Sequence, residues 1–167
     1  MGNIRRSRGY AFEHGLVERF NELGDWKARR LGGSSTGLPD IVAVNNEKSV
    51  LLTIEAKSGT SDILYVPQDQ IERCIVVMEM FGAYSERHIV FAFKFMSKKR
   101  FRRKNKTVYE QRKLLEYYKV ADELVGANPL PIVKCTYDGR TYAMHGSKTT
   151  ALALPDLSMP FKNGRKK

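Results

Sequence analysis

The sequence predicts an α/β fold, a mixed central β-sheet flanked by helices, with a cluster of charged side chains at one end of the sheet. Three observations carry that prediction. Residues 9–23 and 67–81 repeat apolar side chains at the 3.6-residue period of a helix. Residues 40–44, 50–57 and 88–95 are short apolar runs of strand length. The helical segments interleave with the strand-like ones, the pattern from which layered α/β domains are built.

In residues 9–23, Phe12, Leu16, Val17, Phe20 and Leu23 form the apolar stripe, and Gly24 supplies a C-terminal stop. Glu13 falls inside the arc of Leu16, Val17 and Phe20. Either it points coreward to a partner, since an unpaired buried carboxylate is costly, or it bends out to solvent. Residues 28–31 read as a short strand and Gly32-Gly33-Ser34-Ser35-Thr36-Gly37 as a loop. Residues 40–44 and 50–57 form a hairpin across Asn45-Asn46-Glu47-Lys48. With Val44 opposite Ser49, Asp40 lies opposite Thr53 and diagonal to Glu55. One face then carries Ile41, Ala43, Val50, Leu52 and Ile54, and the other Asp40, Thr53, Glu55 and Lys57. A one-residue slip would bury Asp40 among the apolar side chains.

A polar loop over 58–62 leads through Tyr65-Val66 to Pro67, which suits the first position of the second helix. Its stripe of Ile71, Cys74, Ile75, Met78 and Phe81 is widened by Val76, Val77 and Met80, enough to call for a second covering layer or a partner subunit. Eight Lys and Arg then fall between Lys94 and Lys106. Residues 108–126 read as a helix on Leu114, Leu115, Tyr117, Tyr118 and Leu124. Residues 132–136 and 141–144 flank Asp138-Gly139, a strong hairpin signal. Residues 1–146 are expected to make a single domain with a basic insertion at about 97–130, and 147–167 a flexible basic tail.

The 167 residues carry 29 Lys and Arg against 18 acids, a net charge of +11 and a pI near 9.7. That excess calls for a polyanionic partner, nucleic acid before an anionic membrane surface. No apolar stretch approaches the roughly 20 residues of a bilayer span, and the charged start has no apolar segment behind it. An intracellular, DNA-associated protein is the expectation. Cys74 and Cys135 read as buried free thiols, and His14, His88 and His145 are too scattered for a zinc site.

The chemistry sits in Leu38-Pro39-Asp40-Ile41-Val42-Ala43-Val44 and Ile54-Glu55-Ala56-Lys57. Glu55 and Lys57 stand two apart and project from one face of a strand. Alone they would make an ordinary surface salt pair. Here they end the most apolar strand, and Asp40 starts its neighbour at the same end. Two carboxylates and an ammonium so placed can hold a hard cation and its water against a phosphodiester. With the charge of the chain, they predict a metal-dependent DNA nuclease.

The order Glu13, Gly-rich loop, Pro39-Asp40, Glu55-Ala56-Lys57 resembles the PD-(D/E)xK nuclease superfamily. More closely, residues 6–95 resemble the archaeal Holliday junction resolvases. The shared features are Arg5-Arg6-Ser7-Arg8-Gly9 before Ala11-Phe12-Glu13, Arg30-Leu31-Gly32-Gly33-Ser34, the two acidic motifs, Asp62-Ile63-Leu64-Tyr65-Val66 and Phe81-Gly82-Ala83. The resemblance implies a restriction-endonuclease-like fold and paired cleavage of branched DNA, four-way junctions above all, by a homodimer. Its dimer face would use the second helix and the strand at 89–95.

The same resemblance implies Glu13, Asp40 and Glu55 as ligands of Mg²⁺, with Mn²⁺ able to substitute and the number of ions open. Lys57 would contact the attacking water or the scissile phosphate. Arg30 and Ser34 would face the DNA backbone beside the site, which puts Ser34 in the catalytic set; Ser35 replaces it if the loop register shifts, and a plain connector is the alternative for the whole loop. Arg5, Arg6 and Arg8 would also touch DNA. His14 stands where many relatives carry arginine, and Val77 where an aromatic is common. The run Lys98, Lys99, Arg100, Arg102, Arg103, Lys104 has no counterpart in short relatives and is either a DNA contact or a solvated arm. Two other functions fit the same residues: a superfamily nuclease acting on flaps or duplex, and a non-catalytic architectural DNA binder.

Overall fold

The computed structural model describes residues 4–32 and 36–162. They form α1 (Ile4–Asn21), β1 (Lys27–Arg30), β2 (Ile41–Asn45), β3 (Val50–Gly59), β4 (Ile63–Val66), α2 (Gln68–Met80), β5 (Glu86–Phe95), β6 (Lys98–Arg103), β7 (Lys106–Gln111), β8 (Leu115–Val120), a 3₁₀ turn (Asp122–Leu124), β9 (Ile132–Thr136), β10 (Thr141–His145) and β11 (Lys148–Ala151). A five-stranded sheet runs in the order β1-β2-β3-β5-β8; β3 and β5 are parallel and the other neighbours antiparallel. This is the mixed sheet the sequence predicts. A second, antiparallel sheet has the order β11-β10-β9-β4, and β6 pairs with β7 alone.

The large sheet is covered on both faces. On one, Phe12, Leu16 and Phe20 of α1 pack over Ile41, Ala43, Leu52 and Ile54. On the other, Ile71, Cys74 and Met78 of α2, with the second sheet, pack over Leu51 and Phe91. β5 lies between: Val90 and Ala92 face the first core, and Ile89, Phe91, Phe93 and Phe95 the second. A strand buried on both faces needs a continuous apolar run. Cys74 and Cys135 are buried and free, and burial pushes the Cys135 thiol up to about 12.

The structure corrects several boundaries. α1 begins at Ile4, so the arginines of the basic start belong to the helix. In the β2–β3 hairpin, Val44 lies opposite Leu51 and Asn45 opposite Val50, a slip of two residues from the expected register. An even slip preserves both faces. The cause is Asn45, fully buried, whose amide donates to Asp25 at 3.0 Å while its oxygen takes the Lys48 N–H at 3.0 Å. The turn therefore moves one residue along and ends at Ser49, with φ of 55°. In α2, Pro67 is the N-cap, Val77 belongs to the buried stripe, and Phe81 is exposed beyond the helix.

Residues 108–126 are not a helix. They form the end of β7, then β8, then the 3₁₀ turn. In β8, Tyr117 faces the second core and Tyr118 the first, adjacent positions that only a strand sends to opposite faces. Nor is the segment after 147 a flexible tail over its described part. β11 extends the second sheet, and Leu154, Met159 and Phe161 are buried. The Leu157 N–H bonds the Tyr118 carbonyl at 2.9 Å and Val120 N–H the Pro155 carbonyl at 2.8 Å, covering the outer edge of β8. Residues 163–167, the last basic run, lie outside the described residues.

Candidate active site

Because β3 and β5 are parallel, their C-terminal ends leave the sheet at one edge. Continuing the β2–β3 ladder one step past Ile41 and Ile54 brings Asp40 opposite Glu55 at that edge. There Glu13, Arg30, Asp40, Glu55 and Lys57 line a single open cleft of about 810 Å³. The sequence-predicted residues thus converge, although α1 reaches the edge from the opposite face of the sheet.

Glu55 is 2% exposed. Its Oε1 accepts from Lys57 Nζ at 3.0 Å, and its Oε2 is buried and meets no donor among the described residues. Asp40 Oδ2 accepts the Ala56 N–H at 2.9 Å, which ties this carboxylate to the end of β3. Two residue pairs inward, Thr53 Oγ1 donates to the Cys74 carbonyl at 3.3 Å and anchors the strand to α2. Burial pushes the Glu55 carboxyl up to about 8, against the pull of Lys57 and with a further push from Asp40.

A buried carboxylate oxygen without a donor is expensive, and each such atom asks for an explanation. Among the described residues Glu55 Oε2, Ser58 Oγ and Gln70 Oε1 are buried without a partner, and all three residues line this cleft. Carboxylate oxygens with lone pairs to spare are the donor set that Mg²⁺ or Mn²⁺ takes. Asp40 and Glu55 therefore fit a divalent cation as a pair.

Glu13 points inward, and its partner is Arg30. Glu13 Oε2 receives the Arg30 Nε at 2.8 Å and Nη2 at 2.7 Å. Burial and the Asp40 charge raise the Glu13 pKa while Arg30 opposes them. The Arg30 guanidinium also lies over the Tyr10 ring, 4.3 Å from its centroid. Among the described residues no three His, Cys, Asp or Glu side chains gather closely enough to hold an ion. The expected three-carboxylate set is a pair plus a glutamate engaged by arginine.

Arg6 and Arg73 line the cleft beside Arg30, and Arg5 and Arg8 are exposed on the first turns of α1. Arg5 and Arg6 in the first turn run against the helix dipole, at about 0.3–1 kcal/mol each, and with Arg8 leave a positive rim. Arg73 also pairs with Asp69 at 3.1 Å, and His14 with Glu18 at 3.2 Å. Ser34 and its alternative Ser35 lie outside the described residues. Lys98, Lys99, Arg100, Arg102 and Arg103 are on β6, with Lys104 in the turn after it.

Sequence reasoning missed Tyr10, Ser58, Gln70 and Arg73. A signal existed for Tyr10: with Arg6 and Glu13 it follows the 4-and-3 spacing of one helix face. Gln70 adjoins the buried stripe at Ile71, and nothing in its spacing marks it.

The model of the archaeal Holliday junction resolvase (Hjc) family matches residues 4–132. A crossover junction endodeoxyribonuclease of Sulfolobus islandicus rod-shaped virus 1 is 36% identical over 83 residues, which are 48% of this chain and 65% of that protein. The chain thus matches just under two thirds of that relative's length. Archaeoglobus fulgidus Hjc, a Holliday junction resolvase from an archaeal hyperthermophile, shares 25% identity at a TM-score of 0.43, over 61% of this chain and 85% of that one. The family match runs through Glu13, Arg30, Asp40, Glu55 and Lys57 and covers more than half of the sequence: the chain belongs to the archaeal Holliday junction resolvase family.

Proposed function

We propose that the chain is a metal-dependent endonuclease that cuts branched DNA inside the cell, with four-way junctions as its main substrate and a homodimer as its working form. The observation that carries this reading is the Asp40–Glu55 pair beside Lys57, with Glu55 Oε2 buried and undonated in a cleft rimmed by Arg6, Arg30 and Arg73.

Asp40 and Glu55 would hold Mg²⁺ or Mn²⁺, which when bound activates water and offsets charge on the phosphate. Arg30 holds Glu13 through Oε2, so Glu13 would join them through its other oxygen or on leaving Arg30. Lys57 orients one oxygen of Glu55 and brings positive charge to the place where a phosphodiester gains negative charge in the transition state. Arg30, braced on Tyr10, is positioned for a neighbouring phosphate.

A junction resolved into two duplexes requires paired cuts, and a two-fold dimer provides two sites at fixed separation. On α2, Val76 and Met80 are 50% and 73% exposed, and Phe81 just beyond it 42%, a surface suited to a second copy. β5 takes no part in such a face, because it is buried between β3 and β8. Sedimentation without DNA should show twice 19.1 kDa, and a clean monomer would remove the dimer. No helix among the described residues is long and apolar enough to cross a membrane.

The deciding experiment incubates the protein with a four-way junction, a flap and a linear duplex, each with Mg²⁺ and with chelator. Symmetric paired nicks in the junction alone are expected. Equal cutting of all three would make it a general nuclease, and binding without cutting an architectural protein.

A further inference from the structure

β5 ends at the sheet edge that carries Glu55 and Lys57, and the chain continues from there into β6 and β7. The Met96 N–H bonds the Gly59 carbonyl at 2.9 Å and the Arg100 N–H the Thr60 carbonyl at 3.0 Å, so one root of this ribbon is tied to the segment leaving β3. Arg112 locks the other root. Its guanidinium donates to the Met96 carbonyl at 2.9 Å, to Asp62 Oδ1 at 2.7 Å and to the Ser61 carbonyl at 3.0 Å, and lies 4.5 Å from the centre of the Tyr137 ring. Lys99 pairs with the same Asp62. Beyond this root β6 and β7 pair only with each other. Lys104 and Asn105 at the tip have φ of 47° and 61°, the double positive φ of a type I′ turn, whose twist suits a two-stranded ribbon.

The register sorts the side chains. Lys98, Arg100 and Arg102 lie across from Gln111, Tyr109 and Thr107, so these six share a face. All six are exposed, none is acidic, and no ion-pair partner meets the three cations among the described residues. The other face carries Lys99, Phe101 and Arg103 across from Glu110, Val108 and Lys106. It holds the acid, the two half-buried apolar side chains and the lysine committed to Asp62. Each face carries three cations, but the first alone has neither an acid nor a cation already engaged, so its charge is left for an outside partner.

We propose that the β6–β7 ribbon is a DNA-binding arm whose Lys98, Arg100, Arg102 and Tyr109 face lies along the phosphate backbone of a duplex extending from the cleft. Alternate residues on a strand are about 6.7 Å apart, close to the roughly 7 Å between neighbouring phosphates on one DNA strand, whose backbone winds around the axis as it rises about 3.4 Å per nucleotide. The three cations can therefore meet successive phosphates. A two-stranded ribbon is also narrow enough for the major groove of B-DNA.

This inference rests on the DNA reading above, and its test is kept apart from cleavage. Two double variants remove equal charge from opposite faces: Arg100→Ser with Arg102→Ser, and Arg103→Ser with Lys106→Ser. Affinity for a junction and for a linear duplex is measured across a salt series in chelator. The first variant should weaken binding to both DNAs and lower the slope of log affinity against log salt by about 1.8, at ~0.9 per phosphate contact. The second should leave the slope at the wild-type value. Equal losses from both would reduce the ribbon to generic charge, and an unchanged slope in the first would make it a solvated arm; either result overturns the proposal. Wild-type cutting with Mg²⁺ is scored in parallel. Face-specific slopes without cutting would remove the nuclease and keep the arm, and cutting without a slope difference would remove the arm alone.

Discussion

The cleft and the ribbon handle charge in opposite ways. In the cleft, Glu55 is 2% exposed, a single lysine answers one of its oxygens, and Asp40, Lys57 and burial all act on its proton. In the ribbon, Arg100 and Arg102 stand in solvent, and no ion-pair partner meets them among the described residues. Charges in a desolvated cluster depend on one another, whereas exposed ones are screened and act nearly independently. The net charge of +11 therefore covers two designs. Loss of one group should be all-or-none in the first and graded in the second.

The largest effect should break the cleft. Asp40→Asn or Glu55→Gln is expected to abolish cleavage while junction binding survives or tightens, since each carboxylate repels phosphate when no cation offsets it. Nicking assays beside gel shifts, with Mg²⁺ and with chelator, check this; near-wild-type cutting by either variant would sink the assignment. Lys57→Ala should slow single-turnover cleavage by roughly 10²–10³-fold, the usual cost of one lost charge-stabilising donor, and leave circular dichroism unchanged.

A smaller effect should appear in stability against pH. Glu55 binds its proton more tightly folded than unfolded, so its contribution is fully present below about 4.5 and is lost as pH rises through about 8. Metal-free wild type should lose melting temperature across that window, and Glu55→Gln should lose less. Mg²⁺ should restore wild type at the alkaline end and leave the variant unmoved. Parallel pH curves for the two proteins would contradict the unpartnered-carboxylate reading.

The smallest effects should separate root from face in the ribbon. Arg112→Ala removes three hydrogen bonds from a side chain that is 9% exposed, and should cost about 1–3 kcal/mol in urea unfolding. Lys98→Ser should stay within about 0.5 kcal/mol of wild type. A reversal of that order would mean the outer face holds the ribbon to the body.

The same contrast explains what the sequence could reveal. α1, α2, the β2–β3 hairpin and β5 were legible because each buries a long apolar pattern of one period, and a two-residue slip left the faces of the hairpin intact. Asp40, Glu55 and Lys57 stood out as charges ending apolar strands. The Arg30 fork on Glu13 was not legible, since it joins residues from α1 and β1 across the fold. β8 was read as helix because Tyr117 and Tyr118 serve different cores, which erases the alternation that marks a strand. Residues 147–167 were read as a flexible basic tail, yet Pro155 lies along the edge of β8, offers its carbonyl to the ladder and needs no N–H in return.

Phe161 seats on the edge of Phe20, with ring centroids 5.0 Å apart, and Arg19 lies over it at 4.6 Å. Met159 and Phe161 thus complete the pocket for a helix made at the opposite end of the described chain. During synthesis the apolar stripe of α1 emerges early and waits for nearly all the described residues before its last wall arrives. Contacts this distant in sequence close slowly, because the intervening loop must first be ordered. The core around Phe20 is therefore among the last parts of the molecule to set, and a chain cut short before Met159 leaves part of the apolar stripe of α1 open to chaperones.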